Sequence, residues 1–61
     1  MTGKELVKKL EASGWTILRS KGSHYRMGKG IQRTTIPVHG QRDIGKGLLK
    51  AIEKQTGVKL T

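Results

Sequence analysis

The spacing of apolar residues changes period twice along the chain, and any fold must accommodate both changes. Leu6, Val7 and Leu10 recur at helical spacing. Thr2-Gly3-Lys4-Glu5 just before them fits a capping box, in which the Thr2 hydroxyl accepts from the Glu5 amide and the Glu5 carboxylate reaches back to the Thr2 amide. Gly14 suits the left-handed residue that ends such a helix, so the pattern predicts a helix from Gly3 to Ser13. Trp15 to Ser20 is then rich in β-branched and aromatic residues, Lys21 to Ser23 is turn chemistry, and His24 to Met27 can pair back as a second strand. Gly28-Lys29-Gly30 is a second turn, and Thr34 to Val38 a third strand. Pro37 has no amide hydrogen, which argues for a sheet edge. Beyond Asp43 the helical period returns: Ile44, Leu48, Leu49 and Ile52 fall on one stripe, with Gly57 as the stop signal. Gly45 and Gly47 both weaken the first turn of that helix and leave its start unmarked.

The resulting order, α-β-β-β-α, is an α+β fold: a three-stranded antiparallel meander with two amphipathic helices on one face. With a loop over Gly28 to Ile31, Met27 faces Gln32, Tyr25 faces Thr34, and His24 lies nearly opposite Thr35. That register puts Tyr25, Met27, Ile36 and Val38 on the covered face, and His24, Arg26, Arg33 and Thr35 on the open one. The first strand is ambiguous, because Trp15 and Ile17 have one parity and Leu18 the other.

A chain of 61 residues is expected to form a single domain, residues 1–61, with little room for a deep substrate cavity. It has no cysteine, which removes disulfides and thiolate metal sites and is compatible with a reducing cytoplasm. No apolar run approaches the roughly 20 residues of a membrane helix, and the N-terminus lacks the apolar core of a secretory signal. Thirteen Lys and Arg against four Asp and Glu give a net charge of +9, the balance of a chain whose partner is a polyanion, nucleic acid or an acidic protein. Such charge supplies affinity for phosphates without sequence preference or chemistry.

Chemistry concentrates at Lys21-Gly22-Ser23-His24. The turn before His24, the exit of the third strand at His39 and the start of the second helix share one end of the sheet, since antiparallel strands return there. A helix N-terminus favours a phosphate, and Arg42, Lys46 and Lys50 add charge nearby. Histidine can take or deliver a proton near neutral pH. In RNA the 2′-hydroxyl attacks the adjacent phosphorus once a base removes its proton, leaving a cyclic phosphate and a free 5′-hydroxyl. No cluster of carboxylates suggests a pair of metal ions, and no cofactor is called for. A histidine at a strand start is more often a surface or cap residue than a catalyst. Ser23 and Gly22 have an ordinary reading as turn residues, His39 as a polar loop residue, and Trp15 and Tyr25 as core.

Gly22-Ser23-His24, Thr35-Ile36-Pro37-Val38-His39-Gly40 and Lys46-Gly47-Leu48-Leu49-Lys50-Ala51-Ile52 resemble, in this order, the HicA family of toxins. Gly3-Lys4-Glu5-Leu6 followed by Gly14-Trp15 is similar to that family's short first helix. The resemblance implies a double-stranded-RNA-binding-domain-like α-β-β-β-α fold and a ribosome-independent mRNA interferase, the toxin of a toxin-antitoxin pair, with the catalytic histidine at His24. It also implies a HicB-type antitoxin that covers that histidine and neutralises the basic face. Gly45 and Tyr25-Arg26 depart from the family pattern. Expected RNA-binding residues are Arg26, Arg33, Arg42, Lys46 and Lys50, with Ser23, Lys21 and His39 as candidate helpers of His24 and the free chain a monomer. Two other readings remain: a non-catalytic double-stranded-RNA-binding module, whose second helix would open on a denser lysine cluster, and a basic scaffold for an acidic protein.

Overall fold

In the computed structural model, which describes residues 1–60, the elements run α1 (Gly3–Ala12), β1 (Thr16–Lys21), β2 (His24–Lys29), β3 (Gln32–Pro37) and α2 (Lys46–Thr56). The capping box at the start of α1 is formed: the Glu5 amide donates to Thr2 Oγ1 at 3.2 Å and the Thr2 amide to Glu5 Oε1 at 2.9 Å. Ser13 caps the other end, and Gly14, at φ +94°, turns the chain into β1. Lys29 reaches across from β2 and donates to the Ser13 carbonyl at 2.9 Å, a cation at the negative end of the helix. Helix α2 begins at Lys46 with Gly45 as an N-cap that has no side chain to offer, and ends at Gly57, φ +74°.

The sheet is antiparallel in the order β1-β2-β3, so β3 and its Pro37 do lie at an edge. Both helices cover one face. Leu6, Leu10, Leu49 and Ile52 pack with Met27, Ile36 and Trp15 in one apolar cluster, with Tyr25 and Val38 half-buried against it. Fully burying each such side chain is worth about 1.5–3 kcal/mol, which is how a chain without cysteine stays folded at this size. Leu60 tucks back into the same cluster, its amide donating to Glu53 Oε1 at 2.6 Å.

Two expectations need correction, and the ambiguity of the first strand is resolved. The β2–β3 register is Met27 opposite Thr34, Tyr25 opposite Ile36 and His24 opposite Pro37. It is displaced by two residues because the turn is the two-residue Gly30-Ile31, with Gly30 at φ +61°. A two-residue displacement keeps parity, so each strand presents the expected faces. Strand β1 has neither single parity: its register against β2 shifts between Ile17 and Arg19, a bulge at Leu18. Leu48 is 43% exposed rather than part of the buried stripe. On α2 the inward positions are Leu49, Ile52 and Thr56, and Leu48 lies to one side of them.

Candidate active site

Gly22, at φ +58°, and Ser23 form a two-residue turn between the paired residues Lys21 and His24. His24 therefore begins β2 on the uncovered face, flanked by Lys21 of β1 and Pro37 of β3. Strand pairing continues one step past β3, because the Val38 amide donates to the Ser23 carbonyl at 2.6 Å. With Val38 directed at the core, His39 has the parity of Pro37 and emerges on the side of His24. The two imidazoles meet edge to face, centroids 6.1 Å apart and planes at 83°. A tight turn fixes the backbone there: the Arg42 amide donates to the His39 carbonyl at 3.1 Å, and Gly40 takes φ +60°.

Away from the histidines the open face is a shallow depression lined by Leu18, Arg19, Lys21, His24, Arg26, Arg33 and Thr35. Four of these are cations and none is a carboxylate, so the surface presents uncompensated positive charge. Arg26 Nη1 donates to Thr35 Oγ1 across the strand pair at 2.9 Å, which orients its guanidinium and leaves other N–H groups for a ligand. Among the described residues no three metal-ligating side chains come together.

The expected site residues divide into three sets. Lys21, Arg26 and Arg33 share the depression with His24. Arg42 lines a second hollow with His39, Asp43 and Leu48 at the start of α2. Lys46 and Lys50 are exposed on α2 and line neither. Ser23 contributes its backbone, holding β3 through Val38. Trp15 is buried in the core and Tyr25 half-buried against it, as their ordinary reading has it. Arg19 and Leu18 were not expected at the site. The adjacent apolar pair Ile17-Leu18, of opposite parity, was the signal for the bulge that delivers them.

A family model for the "HicA toxin of bacterial toxin-antitoxin" matches residues 3–58, which takes in all five elements. The chain belongs to the HicA toxin family. The "Probable mRNA interferase HicA" of Pseudomonas fluorescens (strain Pf0-1) is 40% identical over 50 residues, 82% of this chain and 83% of that one. A chain of the solved "HicA3 and HicB3 toxin-antitoxin complex" superposes with a TM-score of 0.79 at 37% identity, with full coverage of both. Membership of the HicA family therefore extends to the whole α-β-β-β-α framework that presents His24 and His39. Among the described residues, no helix of this HicA-family chain is long and apolar enough to cross a membrane.

Proposed function

We propose that this HicA-family chain is an mRNA endonuclease that needs no metal, with His24 and His39 as its proton-transfer pair. The observation that carries the proposal is their edge-to-face contact beside a depression lined by four cations and no carboxylate. His24 takes the proton of a 2′-hydroxyl as its oxygen attacks phosphorus. The bond to the 5′ oxygen breaks, and His39, entering protonated, gives that oxygen its proton. The products are a 2′,3′-cyclic phosphate and a 5′-hydroxyl, and the pair returns to its starting state by exchanging protons with water. Attack and departure lie in line on phosphorus, so an acid and a base serving opposite oxygens suit the chemistry better than one group relaying both protons. Arg26 and Lys21 stabilise the charge that grows on the non-bridging oxygens. Arg33 and Arg19 extend the phosphate track, and Arg42, Lys46 and Lys50 add attraction from the α2 side.

The relative named as a probable mRNA interferase supports the substrate class, and the match to a chain from a toxin-antitoxin complex supports a HicB-type antitoxin as the partner. An antitoxin seated on the open face would cover His24 and neutralise the cations around it. Such a toxin works in the cytoplasm, where mRNA and antitoxin both are.

Cleavage of a defined mRNA by the purified chain in EDTA tests this. Cyclic-phosphate ends are expected from the wild type, none from His24→Ala, and a rate about 10²–10⁴-fold lower from His39→Ala, each variant retaining its helical circular dichroism. Undiminished cutting by His24→Ala would sink the assignment. RNA binding without cleavage by the wild type would favour the non-catalytic RNA-binding module.

A further inference from the structure

The open face continues past the histidines to a place where phosphate binding does not account for what is built. Gly28 lies on this face opposite Arg33, and it is buried although it has no side chain. Two neighbours fold over it. A Cβ at Gly28 would meet Leu18 Cδ1 at 2.7 Å, Arg33 Nη1 at 2.8 Å and Arg33 Cζ at 3.2 Å. Arg33 Nη1 also donates to the carbonyls of Gly30, at 2.8 Å, and Gln32, at 2.7 Å. Those bonds pin the guanidinium down on the sheet instead of letting it extend into solvent. Leu18, half exposed, is the bulged residue of β1 and comes onto this face because the bulge re-aims it.

Three devices, a bulge, a glycine and a doubly bonded arginine, thus produce one low shelf. A guanidinium and an aliphatic side chain lie side by side over bare backbone. A phosphate needs none of this: the charge alone would bind it, and a half-exposed leucine among four cations detracts from such binding. A guanidinium plane beside an apolar surface is what an unpaired base stacks on. Gly28 is four residues along β2 from His24, about 13 Å, roughly two nucleotides of extended strand.

We propose that Leu18 and Arg33, folded over Gly28, form a stacking subsite for an unpaired nucleobase roughly two nucleotides from the bond cut at His24. The inference rests on the reading of the chain as a ribonuclease and adds to it a length requirement for the substrate: a strand that ends short of the shelf loses the stacking contact.

The test uses short single-stranded RNAs with one cleavable bond, in which one base at a time is replaced by an abasic ribose. Wild-type kcat/KM is expected to fall roughly tenfold or more for an abasic position about two nucleotides from the cut on one side, with smaller effects elsewhere. In Leu18→Ala that penalty shrinks to about twofold, because the shelf it reports on is gone; Arg33→Lys, which keeps the charge and loses the plane, does the same. Leu18 is outside the core, and an unchanged thermal melt confirms that its variant folds. Abasic penalties that are equal at all positions, or unchanged in Leu18→Ala, overturn the subsite while leaving the ribonuclease intact. No cleavage of any RNA by the wild type overturns the ribonuclease reading and the subsite with it.

Discussion

Replacing Gly3 with alanine should destabilise the protein, although alanine is the better helix former. Gly3 is the first residue of α1 and is buried against the end of β3. A Cβ there would collide with the Pro37 carbonyl oxygen and approach Val38 Cα to 2.8 Å and Val38 Cγ2 to 3.0 Å. Two of the three obstacles are backbone, so no rotamer change relieves them and the helix must lift from the strand. Overpacking of this kind costs about 1–3 kcal/mol, and rigid neighbours put it near 3. The helix-propensity gain of alanine over glycine offsets at most about 1 kcal/mol. The net loss of about 2 kcal/mol corresponds to a fall in melting temperature of about 8–16 °C for a domain of this size. Gly47→Ala is the control: it is also helical, its Cβ meets nothing within 4 Å, and it should raise stability by about 0.5–1 kcal/mol. Both are read by thermal melts in circular dichroism. Gly3→Ala should also cut RNA more slowly than its folded fraction accounts for, because Val38 leads directly into His39. A Gly3→Ala protein that melts at or above the wild-type temperature would refute the reasoning.

Acid should loosen α1 through Glu5. The Thr2 amide, and then the Thr2 hydroxyl bonded within the same capping box, hold its carboxyl below the ordinary glutamate range. A group depressed on folding stabilises above its unfolded pKa and loses that contribution as pH falls through the folded one, so Glu5→Gln should flatten the acid side of a stability-against-pH curve; identical curves would remove Glu5 from the account. Binding of single-stranded RNA to the His24→Ala protein should weaken with salt at a log-log slope of roughly −3 if all four cations of the depression meet phosphates, and Arg26→Gln should reduce that slope by about 0.7. Fluorescence anisotropy from low to high salt measures both, and a slope unchanged by Arg26→Gln would take that residue off the track. Inserting one glycine between Val38 and His39 should lower cleavage as far as His39→Ala does, while a glycine inserted after Gly40 should cost much less; equal rates for the two insertions would mean that the parity of His39 is not what aims it.

The fold was legible where one local signal decided the matter. The capping box, the left-handed Gly14 and Gly57 and the missing amide of Pro37 set the ends of α1, the end of α2 and the edge position of β3. Register was less legible. Gly28-Lys29-Gly30 offers turn chemistry at several positions, and the pairing that prevails carries β2 on to Lys29 and leaves Ile31, 98% exposed, at the tip. The face assignment survived because it depends on parity alone. For β1 parity itself is broken by the bulge, and that is why Ile17 and Leu18 gave contradictory readings.

Within the candidate site the position of the first histidine was legible and that of the second obscure, for a reason that lies in the pairing of β2 with β3. His24 follows a recognisable turn, so its place on the open face can be read from the sequence. His39 stands in a loop, and its position depends on whether pairing continues past a proline that cannot donate. It does continue, because donors alternate along an antiparallel strand. The Val38 amide points inward to Ser23, so the amide that Pro37 lacks would have pointed to the free edge and nothing on β2 misses it. Proline at that position leaves the pairing with β2 whole and denies the outer edge a donor at the end of the sheet where the histidines stand. The residue that marks β3 as an edge strand is thus also compatible with carrying His39 up to His24. A proline one position later would remove the Val38 donor and with it the bond that sets the two rings 6.1 Å apart.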